Sequence, residues 1–133
     1  PADACYSLAM KQLASSDPFT KAEAVRALGV LGPRATPAIE ELIEATQHVS
    51  FSVQNAAVTA LSQMGPEAHQ AVPAITALLH EKTWRLIPPV AAQALGNMGP
   101  RAKEAIPALR ECLKSSHPGL RDAAAEALQK IEQ

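Results

Sequence analysis

The chain has 133 residues, 47% of them hydrophobic but only 3% aromatic, and a net charge of -1. That is one domain's worth of sequence, enough to bury roughly two thirds of its unfolded surface without a metal or disulfide staple. Ala and Leu dominate the apolar residues, which suits closely packed helices and suits a β-sandwich poorly, so the expected class is all-α. Scattered Lys and Arg near overall neutrality lack the field that attracts a phosphate backbone, so no nucleic acid partner is expected.

No apolar run approaches the ~20 residues that span a bilayer, and the opening residues do not form a charged-then-apolar signal segment, so no membrane partner is expected. Cys5 and Cys112 lie at opposite ends of the sequence. Helical layers stacked about 10 Å apart would hold them beyond the ~7 Å Cα limit for a disulfide. Free thiols favour a reducing, cytoplasmic setting.

Taken in chain order, one phrase recurs. Ala27-Leu28, Ala60-Leu61, Ala94-Leu95 and Ala127-Leu128 stand 33, 34 and 33 residues apart. The first three pairs lead to Leu31-Gly32-Pro33, Met64-Gly65-Pro66 and Met98-Gly99-Pro100, and then to Pro-Ala-Ile or Pro-Ala-Leu at Pro37, Pro73 and Pro107. Shifting the last repeat back by 100 positions lays Leu113-Lys114-Ser115-Ser116-His117-Pro118 over Leu13-Ala14-Ser15-Ser16-Asp17-Pro18 without a gap. The repeats are therefore 1–33, 34–66, 67–100 and 101–133, forming one solenoid domain. With no initiating Met and both ends at repeat junctions, the sequence reads as a segment of a longer protein.

Within each repeat the spacing predicts two helices. The first begins at the Pro-Ala-Ile phrase, as in Pro107 to Ser115, with Ile106, Leu109 and Leu113 on one face. The second begins near Ser52, Pro88 or Gly119 and runs about 12 residues, with Val53, Ala57, Ala60, Leu61 and Met64 on its buried stripe. Gly32, Gly65 and Gly99 are expected to end these helices in the left-handed conformation, and the following Pro stops continuation. Gly32 precedes its second Pro by three residues fewer than Gly65 or Gly99 does, so the connecting turn is expected to be shorter there.

The fourth repeat reads Leu120-Arg121-Asp122-Ala123-Ala124-Ala125-Glu126-Ala127-Leu128, which resembles the second helix of HEAT repeats: an apolar residue and Arg, paired Ala, then Ala-Leu. With the Gly-Pro and Pro-Ala-Ile phrases, the whole chain is similar to the short bacterial-style HEAT units also found in phycobilin lyase subunits. The resemblance implies a right-handed α-α superhelix, second helices on its concave side and first helices on its convex side. The family's Arg position holds Lys21, Gln54, Pro88 and Arg121, and its acidic position holds Asp17, Ser50, Trp84 and His117, so the usual Asp-Arg ladder is largely broken.

On that arrangement Arg26, Thr59, Gln93 and Glu126 form one row across the concave face, flanked by Glu23, Asn55, Val90, Asn97, Asp122 and Lys130. This mixed trough is the expected site for an extended peptide or partner helix. Phe19, Phe51 and Trp84 fall between the helices of successive repeats, and Trp84 with Arg85 is the expected rim contact, with local packing of the second helices as the competing reading. Glu40, Glu41 and Glu44 read as a solvated acidic stripe.

Metal binding is not expected, because His48, His80 and His117 sit in successive turns about 10 Å apart and cannot converge on one ion. The HEAT-like deoxyhypusine hydroxylases carry repeated His-Glu pairs, whereas His80-Glu81 is alone here. No phosphate loop, nucleophile elbow or basic aromatic cleft is present, so neither catalysis nor a cofactor is expected. The function expected is a protein-protein interaction scaffold. The alternatives are a lyase-like or chaperone subunit handling a chromophore on another protein, or a spacer in a longer solenoid. Exposed apolar residues in the terminal repeats, Leu8, Leu13, Leu128 and Ile131, would then favour self-association.

Overall fold

The structure is a computed structural model that describes residues 2–48, 50–80 and 85–132. Its α-helices are α1 (Ala2–Leu13), α2 (Pro18–Leu31), α3 (Ile39–Ala45), α4 (Phe51–Met64), α5 (Val72–Leu78), α6 (Ile87–Met98), α7 (Ile106–Cys112) and α8 (Pro118–Ile131). No strand occurs among the described residues. Each odd-numbered helix packs on the even-numbered helix that follows it, and α2, α4, α6 and α8 pack side by side in that order. The result is a two-layer solenoid with an inner row of long second helices and an outer row of first helices.

Leucines and isoleucines fill the space between the layers. Leu28, Leu61 and Leu95 from the second helices meet Leu42, Ile75 and Leu109 from the first, all fully buried. The Ala stripe of α4 behaves as its spacing predicts, with Val53, Ala57, Ala60, Leu61 and Met64 no more than 2% exposed. In α7 the periodicity misplaces one residue: Leu113 is 42% exposed and follows the helix end, while Cys112 turns inward. Burial and the neighbouring Glu111 carboxylate raise the Cys112 thiol above its ordinary value. Both Cys112 and the exposed Cys5 are free thiols.

The connectors are more ordered than turns. Gly32–Ala38, Gly65–Ala71 and Gly99–Ala105 are each seven-residue 3-10 segments. Three residues per turn put every third side chain on one face. Accordingly Ala35 with Ala38, Ala68 with Ala71, and Ala102 with Ala105 are fully buried. Such a run exceeds the usual length of a 3-10 helix, and the backbone relieves it by kinking at Ala68 and Ala102. The connector of the second repeat is therefore not shorter. Ile39, Val72 and Ile106 each follow a connector of equal length, so the Pro-Ala-Ile phrase at Pro37 stands three residues out of register with Pro73 and Pro107. Pro73 and Pro107 sit at the start of α5 and α7, where a missing N-H is tolerated, while Pro37 lies inside its connector.

Gly32, Gly65 and Gly99 do adopt positive φ, at 61°, 64° and 65°, but their ψ values of -134°, -141° and -146° place them outside the left-handed helical basin. That region is close to one open essentially to Gly alone, and it turns the chain abruptly into the following Pro. At the other end of the second helices the caps vary. The Asp17 carboxylate accepts from the Thr20 hydroxyl at 2.8 Å and from its backbone N-H at 3.3 Å. Those two bonds, the hydroxyl first, hold Asp17 below its ordinary value, so this cap weakens only as strong acid protonates it. His117 fills the equivalent place, its Nδ1 accepting from the Leu120 N-H at 3.2 Å. Ser15 and Ser115 accept from the Asp17 and His117 N-H groups at 3.1 and 3.0 Å, so the 100-residue match of these turns extends to their hydrogen bonds.

The two ends of the stack differ from the expected apolar faces. Leu8 is 57% exposed, but Leu13 is buried where α1 packs on α2, and Leu128 and Ile131 are buried where α8 packs on α6, α7 and the connector between them. Its outward residues include Arg121, Ala125, Gln129 and Lys130.

Backbone proximity of second helices rests on two glycines. A Cβ on Gly96 would stand 2.9 Å from the Ala127 Cα, and one on Gly29 would stand 2.8 Å from the Ala60 Cα. Gly96→Ala will therefore destabilise the fold by about 1–3 kcal/mol through overpacking, outweighing the ~1 kcal/mol by which a helix prefers Ala to Gly. Urea unfolding measures the sign, and a more stable variant would contradict this packing.

Candidate protein-binding face on the second helices

Every second helix turns one polar side outward, and the fixed repeat spacing lines those sides up. Arg26, Thr59, Gln93 and Glu126 are all exposed, one each on α2, α4, α6 and α8. Arg26, Asn55 and Thr59 converge on a groove of about 240 Å³ between α2 and α4, whose other lining includes Val30 and Gln63. Glu23 is also exposed and pairs with Arg26 across one helical turn. Such a solvated pair contributes little to stability and leaves both groups able to re-pair with a ligand.

Further along the stack, Asn97 joins three helices. Its Nδ2 donates to the Ser62 hydroxyl at 2.7 Å, and its Oδ1 accepts from Lys130 Nζ at 3.3 Å. Asn97 and Lys130 are thereby brought together, with Asp122 and Glu126 exposed on the same helix as Lys130. Val90 is half-buried and packs against the core. Val30 and Gln63, not among the residues expected on this face, line the groove, and the Ser62 hydroxyl holds Asn97. Val30 and Gln63 were legible, since 30, 63, 97 and 130 form one row at the repeat spacing.

The aromatic rim is not a uniform feature. Trp84 lies outside the described residues, and Arg85 is exposed. Phe51 is half-buried against the core, as a staple should be, whereas Phe19 is 70% exposed and plugs nothing. Two of the turn histidines accept from the backbone: the Ser50 N-H donates to His48 Nδ1 at 3.0 Å, and His117 caps α8. No group of three or more metal-ligating side chains gathers among the described residues.

The charged ladder is missing at the N-terminal ends of the second helices, the opposite end from the Ser62-Asn97-Lys130 chain. Arg121 instead donates to the Ser115 carbonyl oxygen at 2.9 Å, and Pro88 lies in the first turn of α6. Gln54 is 6% exposed, and its Oε1 is buried without a partner.

This is an α-α repeat solenoid whose packing residues recur and whose outward residues on the second helices vary. The HEAT-repeat family profile matches residues 7–96 and 88–133, and the chain belongs to that family. Nothing among the curated proteins matches it. Among solved structures it is similar to an engineered protein from a structural genomics consortium, with 25% identity and a TM-score of 0.76 over 99% of this chain and 67% of that one. A designed armadillo repeat protein in complex with the peptide (KR)4 shares 20% identity and a TM-score of 0.77, over 92% of this chain and 62% of that one. The CpcE-CpcF complex of phycocyanin lyase from Nostoc shares 19% identity and a TM-score of 0.70, over 97% of this chain and 79% of that one. The last two likenesses are likenesses of fold. No helix among the described residues is long and apolar enough to cross a membrane.

The unpartnered Gln54 oxygen makes a test of the inner packing. Gln54→Leu keeps the volume and removes the orphan, so it should stabilise the chain by about 1 kcal/mol; chemical denaturation reads the change, and a loss of that size would mean the amide is satisfied.

Proposed function

We propose that the chain is a non-catalytic scaffold that binds an extended peptide segment of another protein along its second helices. One observation carries the reading: Asn55, Gln63 and Gln93 present side-chain amides on one side of the consecutive second helices α4 and α6, beside the groove at Arg26 and Thr59, with Asn97 bonded to Ser62 and Lys130 next to them. An amide offers both donors and an acceptor, which is what the unpaired N-H and C=O groups of an extended backbone require. Helices stacked about 10 Å apart would then meet roughly every third residue of a strand that rises about 3.3 Å per residue. Arg26 with Glu23 at one end, and Asp122, Glu126 and Lys130 at the other, would set direction and sequence preference, as charges at a rim do.

The peptide held by the designed armadillo protein supports this use of a similar fold. The lyase-like alternative draws on a fold shared at 19% identity, and nothing on the second-helix face specifically favours a chromophore. Selection from a random peptide display library, followed by calorimetry with the best sequence, tests the proposal. Asn55→Ala with Gln93→Ala should weaken that peptide at least about tenfold, while Glu40→Ala on the outer helix α3 should leave it unchanged. Equal binding by all three proteins would overturn it.

A further inference from the structure

The groove between α2 and α4 differs from the other two junctions of the second helices at the positions that build it. Arg26 is the one charged side chain among the described residues that line it. Asn55, Thr59 and Gln63 add polar groups, and the buried Ala56 and Ala60 give an apolar floor. A Cβ on Gly29 would collide with the Gln63 amide oxygen, so its absence lets Gln63 lie across onto α2.

The repeat spacing allows each wall to be compared with its counterparts. At the junction of α4 with α6 the places of Arg26, Asn55 and Thr59 fall to Thr59, Pro89 and Gln93, all uncharged. At that of α6 with α8 they fall to Gln93, Asp122 and Glu126, which exchanges the cation for an amide and adds two carboxylates. The places of Val30 and Gln63 fall there to Asn97 and Lys130, which bond to each other at 3.3 Å. Val30 has no polar group and is 79% exposed, so no such bond spans the α2–α4 groove between these two positions. The charge of equivalent walls thus runs from positive through neutral to negative along the stack.

One guanidinium beside neutral polar groups, over an apolar floor, suits a carboxylate on a short aliphatic stem. Glu23 pairs with Arg26 Nη1 but does not line the groove. A guanidinium has several N-H donors in a fixed fork, so Arg26 can hold a second carboxylate from the groove side. The same carboxylate at the α6–α8 junction would meet Asp122 and Glu126, where like charges repel. We propose that the α2–α4 groove is the pocket for an aspartate or glutamate side chain of the bound segment, and that Arg26 thereby sets the segment's register on the repeats. This rests on the scaffold reading above and adds to it the ligand's charge and position.

A display library of random peptides tests it, each about twelve residues long to span the four second helices, and flanked on both sides by Gly-Ser spacers so that no chain terminus supplies the carboxylate. Selection on the parent should enrich an acidic residue at one position, and selection on Arg26→Glu should enrich Lys or Arg there instead. Calorimetry with the best peptide, made with both ends blocked, then closes a double-mutant cycle. Replacing the peptide's acid by its amide and Arg26→Gln in the protein should each weaken binding at least about tenfold, and together no more than either alone. Lys130→Gln should leave the cost of the peptide change unaltered. Arg26 is exposed, so Arg26→Gln should unfold at the parent's temperature, which keeps loss of binding distinct from loss of fold. Bound peptides without the acidic preference, additive costs, or coupling to Lys130 rather than Arg26 would each overturn the inference and leave the scaffold reading standing. A library that yields no bound peptide would overturn both.

Discussion

How closely two helical backbones can approach sets the form of this molecule. Second helices pack on one another through Ala and Gly, and at two of the three junctions an Ala Cα lies where a Cβ on the facing Gly would clash. Small side chains permit that approach, and dispersion between the closely placed surfaces rewards it. At the middle junction Ser62 stands in the row of Gly29 and Gly96, and its hydroxyl accepts from Asn97. One repeat position thus either closes an interface or bridges it.

The outer layer follows from the inner. Helices α3, α5 and α7 have only seven residues each, too few to be stable alone, and they hold their place by packing on the longer second helices and on the 3-10 connectors. The buried Ala pairs of those connectors form a floor between successive first helices. Cavities remain in this layer, of about 500 Å³ at the junction of the first two repeats and about 240 Å³ at that of the last two. With the backbone fixed by residues that recur, the outward residues are free to differ, and chemistry is placed in rows by the same spacing that builds the core.

Much of this was legible in the amino acids. The Ala-Leu interval marked the second helices, the Ala stripe marked their buried side, and the Gly-Pro pairs marked their ends. The connectors were not legible as helices, because a seven-residue 3-10 segment has no strong propensity signal; its mark is Ala-x-x-Ala, which the more conspicuous Pro-Ala-Ile phrase obscured. That phrase also misled on register in the second repeat, since Pro37 is tolerated inside a connector as Pro73 is at a helix start. The outward row containing Arg26, Thr59, Gln93 and Glu126 was placed correctly as exposed from spacing alone. The half-buried position of Val90 depends on packing across the layer and was not legible, and the buried Glu41 oxygen was missed because charge was taken as a proxy for exposure.

If the inner layer carries the stability, protection should be graded across the two layers. Native-state amide hydrogen exchange measures this directly. Amides in the centres of α4 and α6 should exchange only through global unfolding, while those of α3, α5, α7 and the three connectors exchange through local opening at lower free energy. Equal or greater protection in the outer helices would contradict the account.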